Sequence, residues 1–147
     1  MCSVSVSTVT LLAVGLCSVQ ATQAGNANYS AATPVTQSFH VLANVSAKVQ
    51  VTQNGFARNR ATGLWAATMT VTNVGTSSIN GPIQVVLSNL SSNATMANQT
   101  GFFNGAPYIA VSAGALGAGG SVSVVIQFNN PSNGFITFTP VVYTGAF

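Results

Sequence analysis

The chain has 147 residues, 48% of them hydrophobic, with three Lys or Arg, one His and no Asp or Glu. This length fits one domain with a short leader or tail. Charged residues make up 2% of the chain, against roughly 25% in ordinary globular proteins. Three cations cannot neutralise the run of phosphates that nucleic-acid binding requires, so we expect no nucleic-acid partner.

The absence of carboxylates argues against an enzyme. Without Asp or Glu the chain has no acid pair for glycoside hydrolysis and no acid to orient a histidine in a Ser-His-Asp triad. A protein cage for Ca²⁺ or Mg²⁺ also needs carboxylates, and a single histidine, His40, cannot hold a transition metal alone. We therefore expect a non-catalytic protein with no metal and no cofactor.

The N-terminal segment, residues 1–24, is similar to a signal peptide. Residues 9–19 form an apolar run that is too short to span a bilayer comfortably, and small residues suited to cleavage follow it, with Ala21 or Ala24 as the last residue removed. No Lys or Arg precedes the run. Because Cys2 and Cys17 both lie in this segment, the sequence predicts a secreted mature chain with no disulfide and no transmembrane span.

Residues 25–44 have two interpretations. Apolar and polar residues alternate here and lead into a strand that is predicted from residue 45. The segment is therefore either a plain first strand of the domain or an extended arm that pairs with the sheet edge of another subunit. The candidate assembly residues are Val35, Gln37, Phe39, Val41 and Ala43.

Residues 45–147 have the pattern of an all-β domain. Period-2 alternation predicts strands at residues 45–52, 65–72 and 121–128, and apolar runs predict two more at 83–90 and 135–143. Residues 95–100 and 108–111 are shorter candidates, and Pro140 argues for an edge position or a bulge in the last strand. About seven short strands separated by turn signals are typical of an Ig-like antiparallel β-sandwich.

Three stretches carry a resemblance to a known family. They are "NRATGLWAATMTVTNVGTSSINGPIQVVLSNL", "PYIAV" and "GGSVSVVIQFNNPSNGFITFTPVVYTG". Over roughly residues 45–147 the chain resembles an Ig-like or fibronectin-III-like module of secreted bacterial proteins. The resemblance implies a β-sandwich that serves as an accessory part of exported proteins. This chain differs from that family in lacking acids and in carrying the module almost alone.

Low charge suggests self-association as the function. Soluble proteins guard their sheet edges with charges, above all lysine, and this chain has almost none. Three explanations are open: the domain self-associates, it is coated, for example with glycan, or a partner shields it. Our hypothesis is the first, an exported, self-assembling subunit of an extracellular fibre or surface layer, with strand addition of the arm as one physical route to polymerisation. Arg58 is a candidate contact to a neighbouring subunit.

A secreted carbohydrate-binding or adhesive Ig-like module is the alternative function. Aromatic side chains in loops provide stacking platforms for polysaccharide, and the candidates are Trp65, Phe102, Phe103 and Tyr108. The chain also has acceptor motifs for N-glycosylation. These lie at Asn28, Asn44, Asn89, Asn93 and Asn98.

Overall fold

A computed structural model describes residues 2–147 of the chain. It divides into two compact units, the first ending at Leu42 and the second spanning Ala43–Phe147. Both units consist of antiparallel strands, and residues 2–147 contain one short 3₁₀ turn, Ser46–Lys48, and no α-helix. The prediction of an all-β chain is therefore confirmed.

Unit 1 is built from two hairpins. The first pairs β1, Cys2–Ser5, with β2, Thr8–Leu11. The second, the ribbon, pairs β3, Gly15–Gln23, with β4, Ala32–Val41. The apolar run that predicts a leader thus lies in β2 and β3. A two-stranded sheet by itself is only marginally stable in water, so the ribbon depends on further contacts.

A disulfide joins Cys2 to Cys17, with the two Cα atoms 5.7 Å apart. The prediction of a chain without a disulfide is therefore wrong. That prediction assumes that both cysteines are removed with a leader. In the structure the two hairpins bring β1 close to β3, so that the two cysteines meet. Cys17 is 1% exposed and Cys2 is half-buried, so the link is covered mainly on the side of β3.

The first sheet of unit 2 has the strand order β10–β13–β8–β6, and the short strand β7 also pairs with β8. Its two longest strands are β8 and β13, which pair from Trp65↔Phe128 to Thr72↔Ser121. The bounds are β6 Val49–Gln53, β7 Ala57–Arg58, β8 Trp65–Asn73, β10 Thr95–Met96 and β13 Ser121–Asn129.

The second sheet of unit 2 has the order β11–β12–β9–β14–β5. Its outer strand β5 pairs with β14 only at Tyr143 and Thr144, so Pro140 lies on a part of β14 that has no outer strand partner within residues 2–147. The edge position expected for this proline is confirmed. The bounds are β5 Ala43–Asn44, β9 Ile83–Ser88, β11 Gly101–Phe103, β12 Ala106–Ser112 and β14 Thr139–Thr144.

The core of unit 2 is formed by side chains from both sheets. Burial alternates along β8, as the sequence predicts, and β9 is buried on both faces from Ile83 to Leu87. The side chains that have no exposed surface include Met69, Val71, Ile83, Val85, Leu87, Ile126, Phe128 and Val142. This arrangement is that of an antiparallel β-sandwich, in which the two inner faces together exclude water.

Several predicted strand bounds are wrong. The strand expected from Val45 begins at Val49, because Asn44 Oδ1 accepts a hydrogen bond from Ser46 N at 3.0 Å and the chain turns there. The strand expected from Phe135 begins at Thr139. In the first case the side chain of Asn44 satisfies a backbone group locally, which competes with extension of the ladder. In the second case Phe135 O and Thr137 N bond to the side chains of Asn93 and Ser91, which are distant in sequence.

Asn73 closes the end of the core without any charge. It is fully buried, and its Nδ2 atom donates to the carbonyls of Ser77, Leu116 and Gly117 at 2.9–3.0 Å. Its Oδ1 atom accepts from Gly75 N at 2.9 Å. One neutral amide thus joins the end of β8 to two loops.

We expect Asn73→Asp to lower the free energy of unfolding of unit 2 by at least about 3 kcal/mol. The buried carboxylate would have no N–H to donate to the three backbone carbonyls, and its negative charge would lie against their oxygen atoms. Urea unfolding followed by the fluorescence of Trp65 measures the change. The matched control is Asn59→Asp, since Asn59 Oδ1 only accepts, from Ala61 N and Thr62 N. That variant should stay within about 0.5 kcal/mol of the wild type. Equal losses in both variants would contradict the role given to Asn73.

The disulfide is expected to stabilise unit 1 alone. It closes a sequence separation of 15 residues, for which loop-closure entropy predicts about 3 kcal/mol. In Cys2→Ser/Cys17→Ser, amide hydrogen exchange measured by mass spectrometry should quicken in peptides from residues 2–42. Peptides from β8 serve as the internal control and should keep their protection. Unchanged exchange in unit 1 would show that the hairpins do not need the link.

Candidate functional site

The candidate assembly segment forms most of β4. Val35, Gln37, Phe39 and Val41 lie in this strand, whereas Ala43 begins β5 in unit 2. β4 pairs with β3 of the same chain over most of its length. The segment is thus a strand of unit 1, and only its last residue enters a sheet of unit 2.

The two faces of the ribbon differ in chemistry. On one face Ser18 Oγ and Ser38 Oγ form a cross-strand hydrogen bond of 2.8 Å. The opposite face carries Val35 and Phe39, which remain 56% and 41% exposed. The ribbon therefore presents a polar, hydrogen-bonded face and an apolar face that is only partly covered.

Two strands of unit 2, β13 and β14, have edge positions that are closed by neutral side chains. Asn98 lies beside β13, where its Nδ2 atom donates to Val125 O at 2.7 Å and its Oδ1 atom accepts from Gln127 N at 2.8 Å. Ser46 Oγ accepts from Val142 N at 2.9 Å beside β14. A hydrogen bond to a side chain occupies a backbone group that an added strand would need. These positions are therefore blocked to strand addition.

The ribbon lacks such closure. Among the described residues, the backbone of residues 34–41 is hydrogen-bonded only within the ladder to β3, and no Lys, Arg, Asp or Glu occurs before Lys48. Of the thirteen large, exposed apolar side chains of residues 2–147, nine belong to unit 1. The outer edge of β4 is thus long, uncharged and close to exposed apolar surface.

The loop before β8 is organised around Asn59. Its backbone N donates to Leu64 O and its carbonyl accepts from Gly63 N, both at 2.8 Å, and Gly63 takes a positive φ of 74°. Arg58 and Arg60 are both exposed, and Arg58 lies opposite Trp65 in the pairing of β7 with β8. The loop leaves the Arg58 guanidinium at the surface, and its contact to another subunit stays a prediction.

The four candidate aromatic residues do not form one surface. Phe103 stacks on Phe147 with ring centroids 4.2 Å apart, and Tyr108 meets the same ring edge-on at 4.5 Å. Phe102 is 66% exposed on β11. Trp65 lies elsewhere, at the start of β8. Two of the four rings are thus held by intramolecular packing.

Trp65 lines an open cleft of unit 2, which has a volume of about 340 Å³. The cleft lies between the loop before β8 and the loop that joins β13 to β14. Its lining carries no charged side chain and consists of Phe56, Trp65, Asn133, Gly134, Phe135 and Ile136. Three aromatic rings and one amide side chain thus share one open concavity.

Phe56 and Phe135 are site residues that the sequence did not single out. Each follows an Asn-Gly pair, Asn54-Gly55 and Asn133-Gly134 respectively. An Asn-Gly pair marks a turn, and an apolar ring directly after a turn is placed near the surface at the end of a sheet. That signal identifies both residues as loop aromatics, but it does not show that their loops meet.

Metal-binding clusters and membrane-spanning helices are both absent from the described part of the chain. Residues 2–147 hold no group of three or more His, Cys, Asp or Glu side chains that could bind a metal ion. In the same range, no helix has the length and hydrophobicity needed to cross a membrane.

The five glycosylation motifs have different environments. The amide nitrogens of Asn93 and Asn98 already donate hydrogen bonds, to Phe135 O at 3.1 Å and to Val125 O at 2.7 Å. The other three motifs have exposed asparagines, at Asn28, Asn44 and Asn89. A glycan is attached through the amide nitrogen, so attachment to the first two requires that structural bonds break.

We expect a purified N-glycosyltransferase to modify the folded protein at Asn28, Asn44 and Asn89 and to leave Asn93 and Asn98 unmodified. The reason is that the amide groups of the last two are held by loop and strand carbonyls. Glycopeptide mapping reports occupancy at each site. The urea-unfolded chain is the control and should accept glycan at all five. A glycan on Asn98 of the folded protein would contradict this expectation.

Comparison with protein-family models, curated proteins and solved structures finds no match for this chain. The resemblance to an Ig-like or fibronectin-III-like module therefore stays a prediction from the sequence. The function of the chain has to be inferred from its own geometry and chemistry.

Proposed function

We propose that the protein is a non-catalytic structural subunit that is exported and self-assembles into an extracellular fibre or surface layer. One observation carries the proposal: neutral side chains close positions on β13 and β14 of unit 2, whereas no such bond closes the outer edge of β4 in unit 1. Natural proteins block long, uncharged edges because such edges pair with other chains. A long edge left open in a chain that closes other edge positions favours a role in pairing.

Assembly proceeds by strand addition. The outer edge of β4 in one copy pairs with an open sheet edge of the next, and each copy in turn offers its own β4. Because the two surfaces in such a contact differ, the contact need not close into a ring and produces a filament. A third strand also gives the two-stranded ribbon the extra pairing that it needs for stability.

Removal of the predicted leader bears directly on this pairing. Cleavage after Ala24 would remove all of β3, Gly15–Gln23, and cleavage after Ala21 would leave two of its residues. β4 would then lose the partner that covers its inner edge. Processing would therefore expose two edges of the assembly strand in place of one.

For unit 2 we propose the Ig-like class, in line with the resemblance. The strand order β6–β8–β13–β10 corresponds to the order A–B–E–D of an Ig sheet, and the neighbours β9 and β14 correspond to C and F. In this assignment β5 lies next to β14, where strand G would lie. The correspondence supports a scaffold that carries the assembly strand and needs no catalytic site.

The proposal is tested by placing a charge on the assembly strand. The wild type should form larger species as its concentration rises, measured by sedimentation velocity and electron microscopy. Gln37→Lys places an ammonium on exposed β4 and should raise the concentration needed for assembly by roughly tenfold or more, because a buried, unpaired charge costs more than about 1.4 kcal/mol.

The matched control is Ala115→Lys, which adds the same charge at an exposed position outside any strand. It should assemble like the wild type. Between about 50 and 500 mM salt the wild-type threshold should change little, since the contact contains no ion pair. A wild-type chain that stays monomeric at millimolar concentration, or a control that is impaired as much as Gln37→Lys, would refute the proposal.

A further inference from the structure

We propose that the cleft at Trp65 is a binding site for a neutral sugar ring. This inference rests on the cleft alone and does not depend on self-assembly. The cleft lies within unit 2, and its volume of about 340 Å³ is at the lower end of the range of small-molecule sites, roughly 300–1,000 Å³. A site of this size holds one or two rings.

One wall of the cleft is fixed by the core. Phe56 packs edge-on against Phe128, with ring centroids 5.5 Å apart and an interplanar angle of 84°. Phe128 is fully buried and pairs with Trp65 in the register of β8 and β13. The rings of Phe56 and Trp65, which form this wall, are therefore held in place before any ligand arrives. This lowers the entropic cost of binding.

The opposite wall is the loop between β13 and β14, which is held by hydrogen bonds and exposes the ring of Phe135. Phe135 is 95% exposed, yet its carbonyl accepts from Asn93 Nδ2 at 3.1 Å, and the carbonyl of Gly134 accepts from Asn130 Nδ2 at 2.7 Å. Exposure of a whole phenyl ring does not stabilise the fold, because no apolar surface is removed from water. A hydrogen-bonded loop that holds such a ring above a cleft is instead suited to stacking on a ligand.

The polar groups of the cleft select the class of ligand. Trp65 Nε1 is buried, and within residues 2–147 it has no hydrogen-bond acceptor. A small shift of the indole would let a ligand oxygen accept a hydrogen bond from this N–H, which removes the cost of an unpaired buried donor. The side-chain amide of Asn133 supplies a further donor and acceptor. The lining contains no charge, which favours a neutral ligand.

A sugar ring satisfies all of these features. Its C–H face stacks on aromatic rings, and its hydroxyl groups both donate and accept hydrogen bonds. A purely apolar ligand, such as the side chain of a second copy, would leave the indole N–H without a partner. The chemistry of the cleft therefore favours a neutral saccharide over a hydrocarbon side chain.

The test uses the full-length protein and its single tryptophan as the probe. Emission from Trp65 is recorded while cellobiose, maltose, lactose or N,N′-diacetylchitobiose is added up to about 50 mM. We expect a saturable change in emission with at least one of these neutral disaccharides. Phe135→Ala should weaken that binding roughly tenfold, the effect of losing one stacking ring.

Phe102→Ala is the matched control, because it removes another exposed ring that lies outside the cleft and should leave sugar affinity unchanged. Urea unfolding of both variants checks that neither change alters stability.

The proposal is overturned if no probe gives a saturable response, or if Phe102→Ala weakens binding as much as Phe135→Ala. It is also overturned if emission follows protein concentration without sugar and Phe135→Ala abolishes that dependence, since a second copy then fills the cleft. Assembly measured by sedimentation reports separately on the proposed fibre, so the two proposals can fail independently.

Discussion

Hydrogen bonding at the sheet edges governs this molecule, because the chain has no carboxylate side chain and only three Lys or Arg with which to guard an edge. Neutral side chains replace charges at these positions. Asn98 occupies backbone groups of β13, and Ser46 occupies one of β14. Each such bond removes a group that another chain would pair with. Under the proposed function, self-association would use an edge that lacks this closure, such as the outer edge of β4 in unit 1.

The same use of neutral amides extends into the interior of unit 2. Asn73 is fully buried with four hydrogen bonds, and Asn130 and Asn93 hold the loop that displays Phe135. An amide donates and accepts at once, so it satisfies carbonyl and N–H groups without the desolvation cost of an ion. Neutral amides in this way tie the loops of unit 2 to its sheets, whereas unit 1 consists of two hairpins joined by one disulfide.

Two surfaces result from this division, and both avoid charge. In the two proposals, the edge of β4 would pair its backbone groups with another copy, and the rings and amide of the cleft at Trp65 would contact a neutral ligand. Interactions of both kinds depend on burial and hydrogen bonding, so they are screened little by salt. Both proposals therefore predict binding that changes little with ionic strength.

The sequence by itself determined the all-β class, the alternation of β8 and β13 and the edge position of Pro140, because the side-chain period and the missing proline N–H act locally. It predicted that the candidate arm is extended, but not that β3 is its partner. The Cys2–Cys17 link, the stacking of Phe103 on Phe147, and the meeting of Phe56, Trp65 and Phe135 were decided only by tertiary structure. Each joins segments that are distant in sequence, and their approach depends on strand pairing and turn geometry, which local patterns do not specify.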